Sequence, residues 1–174
     1  MATNWNDMCL ANRDDFQGAG KMAEAAGWIV APDSLVSSFE HAVGKPQVWL
    51  RSSAAGIRLL AIGRLDDTVL DRGKPVLARF CAVGVMPADV AVDNDVKTLL
   101  PVPPNPIGAK NGQTTYAYRR TPNGPKPILG DLNDPATIDG IDAPDVDIVQ
   151  VGGGAKMTLI MLAIPEAHEA AKGQ

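Results

Sequence analysis

The run Val146-Asp-Ile-Val-Gln-Val151, then Gly152-Gly153-Gly154, then Lys156-Met-Thr-Leu-Ile-Met-Leu-Ala-Ile164 reads as a β-hairpin. Both arms are rich in branched apolar residues, and consecutive glycines supply the positive φ angles that a tight reversal needs. Upstream, Gln47–Ser52, Ile57–Leu65 and Val76–Val85 have the same character. They are separated by the turn-forming stretches Ser-Ser-Ala-Ala-Gly and Asp-Asp-Thr-Val-Leu-Asp-Arg-Gly. Connections this short favour antiparallel pairing. Thr114–Arg120 is one further strand, closed by Thr-Pro-Asn-Gly-Pro.

Helical patterns flank the strands. Asn4 or Thr3 is placed to cap a first helix carrying Trp5, Met8, Cys9 and Phe16 near one face, broken in its polar middle around Asn12–Asp14. A second helix spans about Gln17 to Ala26, with Gly27 in the left-handed terminal position and Trp28 folding back. Ser34–Ala42 fits a short helical turn. Asp89 is placed to cap a helix whose Val92, Val96, Leu99 and Leu100 recur at helical spacing until Pro101 stops it. The resulting order α-α-β-β-β-α-β-β-β predicts an α+β fold over residues 1–174 as one domain. Its antiparallel sheet has about five to six strands, with helices packed mainly on one face.

Composition excludes several classes. At 174 residues the chain can bury roughly 70% of its unfolded surface, and 45% hydrophobic against 21% charged residues is ordinary globular usage rather than disorder. A net charge of −4 argues against nucleic acid or an anionic membrane as partner. Aromatics at 5% are too few for an extended stacking platform. The apolar run Met157–Ile164 is too short to span a bilayer. Met1-Ala-Thr-Asn-Trp-Asn-Asp lacks the basic and apolar regions of a signal peptide. The chain is therefore expected in the cytoplasm if Met1 is its native start, and in the periplasm or outside the cell if it is a trimmed mature form.

The residues that could carry chemistry are sparse. Cys9 sits on the first helix and Cys81 in mid-strand; they either form a disulfide tying helix to sheet or remain reduced thiols packed as small hydrophobes. Asp131, Asp134, Asp139, Asp142, Asp145 and Asp147 give the window Ile128–Ala155 a charge of −6 against −4 for the whole chain, so the remainder is +2. Calcium spacing fails there, because Gln150 stands where an EF-hand starting at Asp145 needs Gly. A solvated loop is the preferred reading of these aspartates. Gly18-Ala-Gly20-Lys-Met-Ala23 has dinucleotide spacing but follows no buried strand, and a Walker loop fails at Asp15 and Met22. No cofactor or metal is expected.

His41, near Ser37 and Ser38, and His168 are the only histidines, and neither stands in a hydrolase or zinc-protease motif. Asp66-Asp67 reads as a turn. Tyr116, Tyr118 and Arg120 share one strand face and form a candidate ligand-stacking surface, or else a sheet face with a cation over a ring.

The pattern Trp5-x-x-x-Cys9 on a helix, then Ala26-Gly27-Trp28 and the strand Phe80-Cys81-Ala-Val, resembles small uncharacterised exported bacterial proteins. The resemblance covers about the first 90 residues. It implies periplasmic residence and a Cys9–Cys81 bridge, and it brings no activity with it. The leading expectation is thus a non-enzymatic exported module that binds an unknown protein or small molecule. Its surface candidates are Tyr116, Tyr118 and Arg120, together with Asp139, Asp142 and Asp145. The competing expectation is a small hydrolase with a dispersed site, followed by a structural subunit of an assembly.

Overall fold

The computed structural model describes residues 1–36, 42–67, 76–89, 91–107, 112–132, 134, 137 and 144–166. Among the described residues eight strands form one antiparallel sheet: β1 Ile29–Val30, β2 Ala42–Ser53, β3 Gly56–Asp67, β4 Val76–Met86, β5 Thr114–Arg119, β6 Lys126–Pro127, β7 Val146–Gly154 and β8 Met157–Pro165. Their order across the sheet is β1-β2-β3-β4-β8-β7-β5-β6. The β7–β8 hairpin lays β8 along β4, so the hairpin sits at the sheet centre and joins the β2–β3–β4 meander to β5.

The expectation of five to six strands falls short of the observed eight. The six strands read from the sequence correspond to β2, β3, β4, β5, β7 and β8, with Arg120 and Lys156 falling one residue outside β5 and β8. The two that escaped are two-residue edge strands, too short to carry any alternation. Ile29 and Val30 pair with Leu50 and Trp49; Lys126 and Pro127 pair with Arg119 and Tyr118. A lysine and a proline blunt the β6 edge against further pairing. At the β2–β3 turn Gly56 has φ +122°, and a Cβ there would lie 2.0 Å from the Met86 carbonyl oxygen, so close backbone approach demands glycine.

Helix α1 spans Ala2–Trp5 and widens into a π-helical stretch over Asn6–Leu10. Thr3 and Asn4 lie inside this helix rather than at its cap, which falls at Met1 without a side-chain bond. Asn12 closes the wide turn, its Nδ2 donating to the carbonyls of Asp7 at 2.8 Å and Met8 at 3.1 Å. Helix α2, Gln17–Ala25, ends as its sequence dictates: Gly27 has φ +77°, and the Trp28 amide donates to the Ala23 carbonyl at 3.0 Å. Helix α3 covers Asp33–Val36, and α4 covers Val92–Leu99. Asp89 Oδ1 accepts from the Ala91 amide at 3.1 Å, just ahead of α4.

Alternation along the strands sets the core on both faces of the sheet, in three clusters. Leu60, Ile62, Cys81, Val83, Tyr116, Tyr118, Val149, Leu162 and Ile164 cluster with Trp5, Met8, Ala19, Ala23, Val92 and Val96 from the helices. The intervening Leu59, Ala61, Phe80 and Ala82 cluster with Ala31, Val36 and Val48. Gly20 lets α2 rest on Trp49: a Cβ there would fall 2.6 Å from the ring. The indole Nε1 of Trp49 donates to Glu24 Oε1 at 3.2 Å.

Cys9 and Cys81 form a disulfide with a Cα–Cα distance of 5.4 Å, both residues being fully enclosed. Of the two readings left open for the cysteines, the structure takes the bridge, which ties the π-helical stretch to the sheet centre. Among the described residues no helix is long and apolar enough to cross a membrane.

Candidate functional site

Several charged residues of the helix-covered face gather at one end of the sheet, with Arg51 and Arg58 paired at the other. Tyr118 on β5 stands opposite Asp147 on β7. On the far side of β8, Arg79 stands opposite both Ile164 and Arg64. The segment Arg13–Phe16, emerging from the π-helical stretch, runs across this end. Arg13 Nη1 lies 3.6 Å from Asp147 Oδ2, and Asp14 Oδ1 lies 3.5 Å from Arg120 Nη1. Arg79 Nη1 donates to the Asp14 carbonyl at 2.8 Å, and its guanidinium sits 5.6 Å over the Phe16 ring.

Asp147 is the centre of the arrangement. Its side chain is 0% exposed, and Arg120 Nε approaches its Oδ1 to 3.4 Å. Neither carboxylate oxygen has a partner at hydrogen-bond geometry among the described residues. Arg120 and Arg13 act on it through their charge, and the Tyr118 phenol stands beside it on the neighbouring strand. Burial raises the Asp147 pKa above the usual carboxylate range, and these three neighbours only partly oppose it. Arg120 is anchored further by donating from Nη2 to the Pro144 carbonyl.

Beside this cluster opens a cleft of ≈ 390 Å³. Leu10, Leu100, Pro101 and Pro125 form its apolar walls, and Arg13, Tyr118 and Arg120 supply its polar groups. Two guanidiniums face the cleft and no carboxylate lines it; Asp147 lies behind them. Arg13 and Arg120 keep 36% and 26% of their side-chain surface exposed, so their remaining donors can reach a ligand.

The sequence-derived candidates divide accordingly. Tyr118 and Arg120 both line the cleft. Tyr116 is fully enclosed in the core, where burial and then the charge of Asp93 push its phenol up to about 12. The Tyr118 phenol is raised still further, by burial and then by Asp147. Asp145 accepts from Arg119 Nη1 at 2.6 Å. Asp131 and Asp134 belong to successive turns, with the Asp134 amide donating to the Asp131 carbonyl at 3.0 Å. Asp139, Asp142, Ser37, Ser38, His41 and His168 lie outside the described residues.

Sequence reasoning missed Arg13, which sits in the polar run taken as a helix break. It also placed Asp147 in a solvated loop, whereas Asp147 is buried on β7. The available signal was its position between Val146 and Ile148, one residue inside an apolar strand. Among the described residues no group of three His, Cys, Asp or Glu side chains is placed to hold a metal ion.

These phenols set an alkaline limit on stability. A raised phenol pKa means that the folded chain keeps protons that the unfolded chain gives up near its ordinary value. Stability is then fully present below about pH 10 and falls as pH rises through the folded values. The chain has just two tyrosines, so tyrosinate absorption reports on this face alone. Spectrophotometric titration is expected to show almost no tyrosinate at about pH 10 in the folded protein, and its cooperative appearance with unfolding at higher pH. Reversible ionisation of one phenol near pH 10 without unfolding would contradict this placement.

No known family matches the chain, and no curated protein or solved structure matches it.

Proposed function

We propose that the protein is an exported, non-enzymatic binding module that takes a small acidic molecule with an apolar body into the cleft beside Arg13, Tyr118 and Arg120. One observation carries the reading: two partly exposed guanidiniums converge on an apolar-walled cleft, held from behind by a fully buried carboxylate. Guanidiniums oriented from behind lose little freedom on gripping a carboxylate, and charge-assisted pairs of this kind are the stronger hydrogen bonds. The export half of the proposal is supported by the enclosed Cys9–Cys81 disulfide, since such bonds persist mainly in oxidising compartments. It also agrees with the resemblance to small exported bacterial proteins.

Calorimetric titration with acetate, hexanoate and phenylacetate tests the binding half. Hexanoate and phenylacetate are expected to saturate the protein, and acetate to bind more weakly because it leaves Leu10, Leu100 and Pro125 uncovered. Arg13→Gln and Arg120→Gln should each weaken binding by roughly tenfold, as expected for losing one charge-assisted bond. Circular dichroism is the check that both variants fold, and wild-type spectra are expected. Unchanged affinity in both variants, or no saturable binding by any of the three acids, would overturn the proposal.

A further inference from the structure

In the β3–β4 ladder Arg64 stands directly opposite Arg79. Residues so paired have Cβ atoms about 4.5–5.5 Å apart, and like charges in this relation destabilise a sheet. The neighbouring rows of the same face hold Ile62 opposite Cys81 and Leu60 opposite Val83, which is what a buried face requires. The same face carries a second such pair at its other end, Arg51 opposite Arg58 in the β2–β3 ladder, but Arg64 and Arg79 are the pair that lines a cleft.

The two arginines line a second cleft, of ≈ 390 Å³, together with Lys45, Asp15, Glu166 and Phe16. Their protein partners are few. Arg64 Nε donates to Glu166 Oε1 at 3.0 Å. Arg79 has the Asp14 carbonyl on Nη1 and the Phe16 ring beneath it, and neither carries a negative charge. The Asp15 carboxylate is occupied at 3.0 Å by the Gln17 amide, and Lys45 Nζ pairs with Asp33 at 2.8 Å. Three cations thus line the cleft against two carboxylates, and one carboxylate serves the arginine pair.

We propose that this cleft binds the phosphate group of a small soluble phosphomonoester, the Arg64 and Arg79 guanidiniums gripping its oxygens from adjacent strands. Two planar forks suit the several oxygens of a phosphate, and a dianion between them relieves the cross-strand repulsion. Phe16 and Ile62 offer apolar wall to the remainder of the ligand. The site is separate from the cleft beside Arg13, so either can fail without the other.

The test is titration with phenyl phosphate at constant ionic strength, followed by the Nε–H resonances of the arginine side chains and by thermal unfolding. Saturable shifts at Arg64 and Arg79, with a rise in melting temperature, are expected for the wild type. Arg64→Gln and Arg79→Gln should each weaken binding at least tenfold. Without ligand at low ionic strength, Arg64→Gln should unfold no earlier than the wild type, because one of the opposed charges is gone. Shifts spread evenly over all arginines, unaltered affinity in both variants, or capture by phosphatidic acid vesicles without saturation by phenyl phosphate would overturn the proposal.

Discussion

Replacing the disulfide as Cys9→Ala/Cys81→Ala is expected to lower stability by about 4 kcal/mol, because the bridge closes a loop with a sequence separation of 72. For a chain of this length that corresponds to a fall in melting temperature of roughly 8–16 °C. Urea denaturation of the variant against the oxidised wild type measures it. Both cysteines are fully enclosed, so reductant added to the folded protein should cleave the bond no faster than the protein opens. Rapid reduction under native conditions, or a variant as stable as the wild type, would show that the bridge is not a structural staple. The consequence reaches the cleft, since the segment that the bridge fixes carries Leu10 and Arg13.

Trp5→Ala should cost about 3–5 kcal/mol, the range for deleting a buried large aromatic side chain. Trp5 is 0% exposed and packs between the sheet and the helices. Its indole Nε1 has no hydrogen-bond partner among the described residues, so the side chain contributes through apolar contact and volume. Trp5→Phe should accordingly lose much less than Trp5→Ala. Trp5 and Cys9 secure the same segment, so combining Trp5→Ala with loss of the disulfide should cost less than the two separate losses together. Equal destabilisation by Phe and Ala would mean that the indole nitrogen matters after all.

How far the fold could be read from the sequence follows from what each element needed. The long strands announced themselves by branched residues between turn formers, and the Gly152–Gly154 run marked the hairpin that places β8 at the sheet centre. Gly27 marked the end of α2 because a left-handed terminal residue leaves a single-residue signature. Strands β1 and β6 left none, since two residues have no period. The π-helical widening over Asn6–Leu10 was also illegible: its side chains satisfy an ordinary helical pattern until Asn12 turns back on the carbonyls.

The candidate site was less legible, for a different physical reason. Tyr118 and Arg120 could be placed together because a strand sets residues two apart on one face. Asp147 joins them through cross-strand register, and Arg13 through the path of a turn. Neither relation is written in local spacing. The acidic window misled because turn-forming aspartates and one buried aspartate look alike in composition. What separates Asp147 from Asp131 is its place within β7, fixed only when β5 pairs alongside.

The account turns on the cleft beside Arg13, and mapping amide shifts across the folded, oxidised protein during titration with phenylacetate tests it most directly. Saturable shifts centred on Leu10, Arg13, Tyr118, Thr121 and Gly124 are the predicted result. Shifts centred instead on Lys45, Arg64 and Arg79, or no saturable shift anywhere, would contradict it.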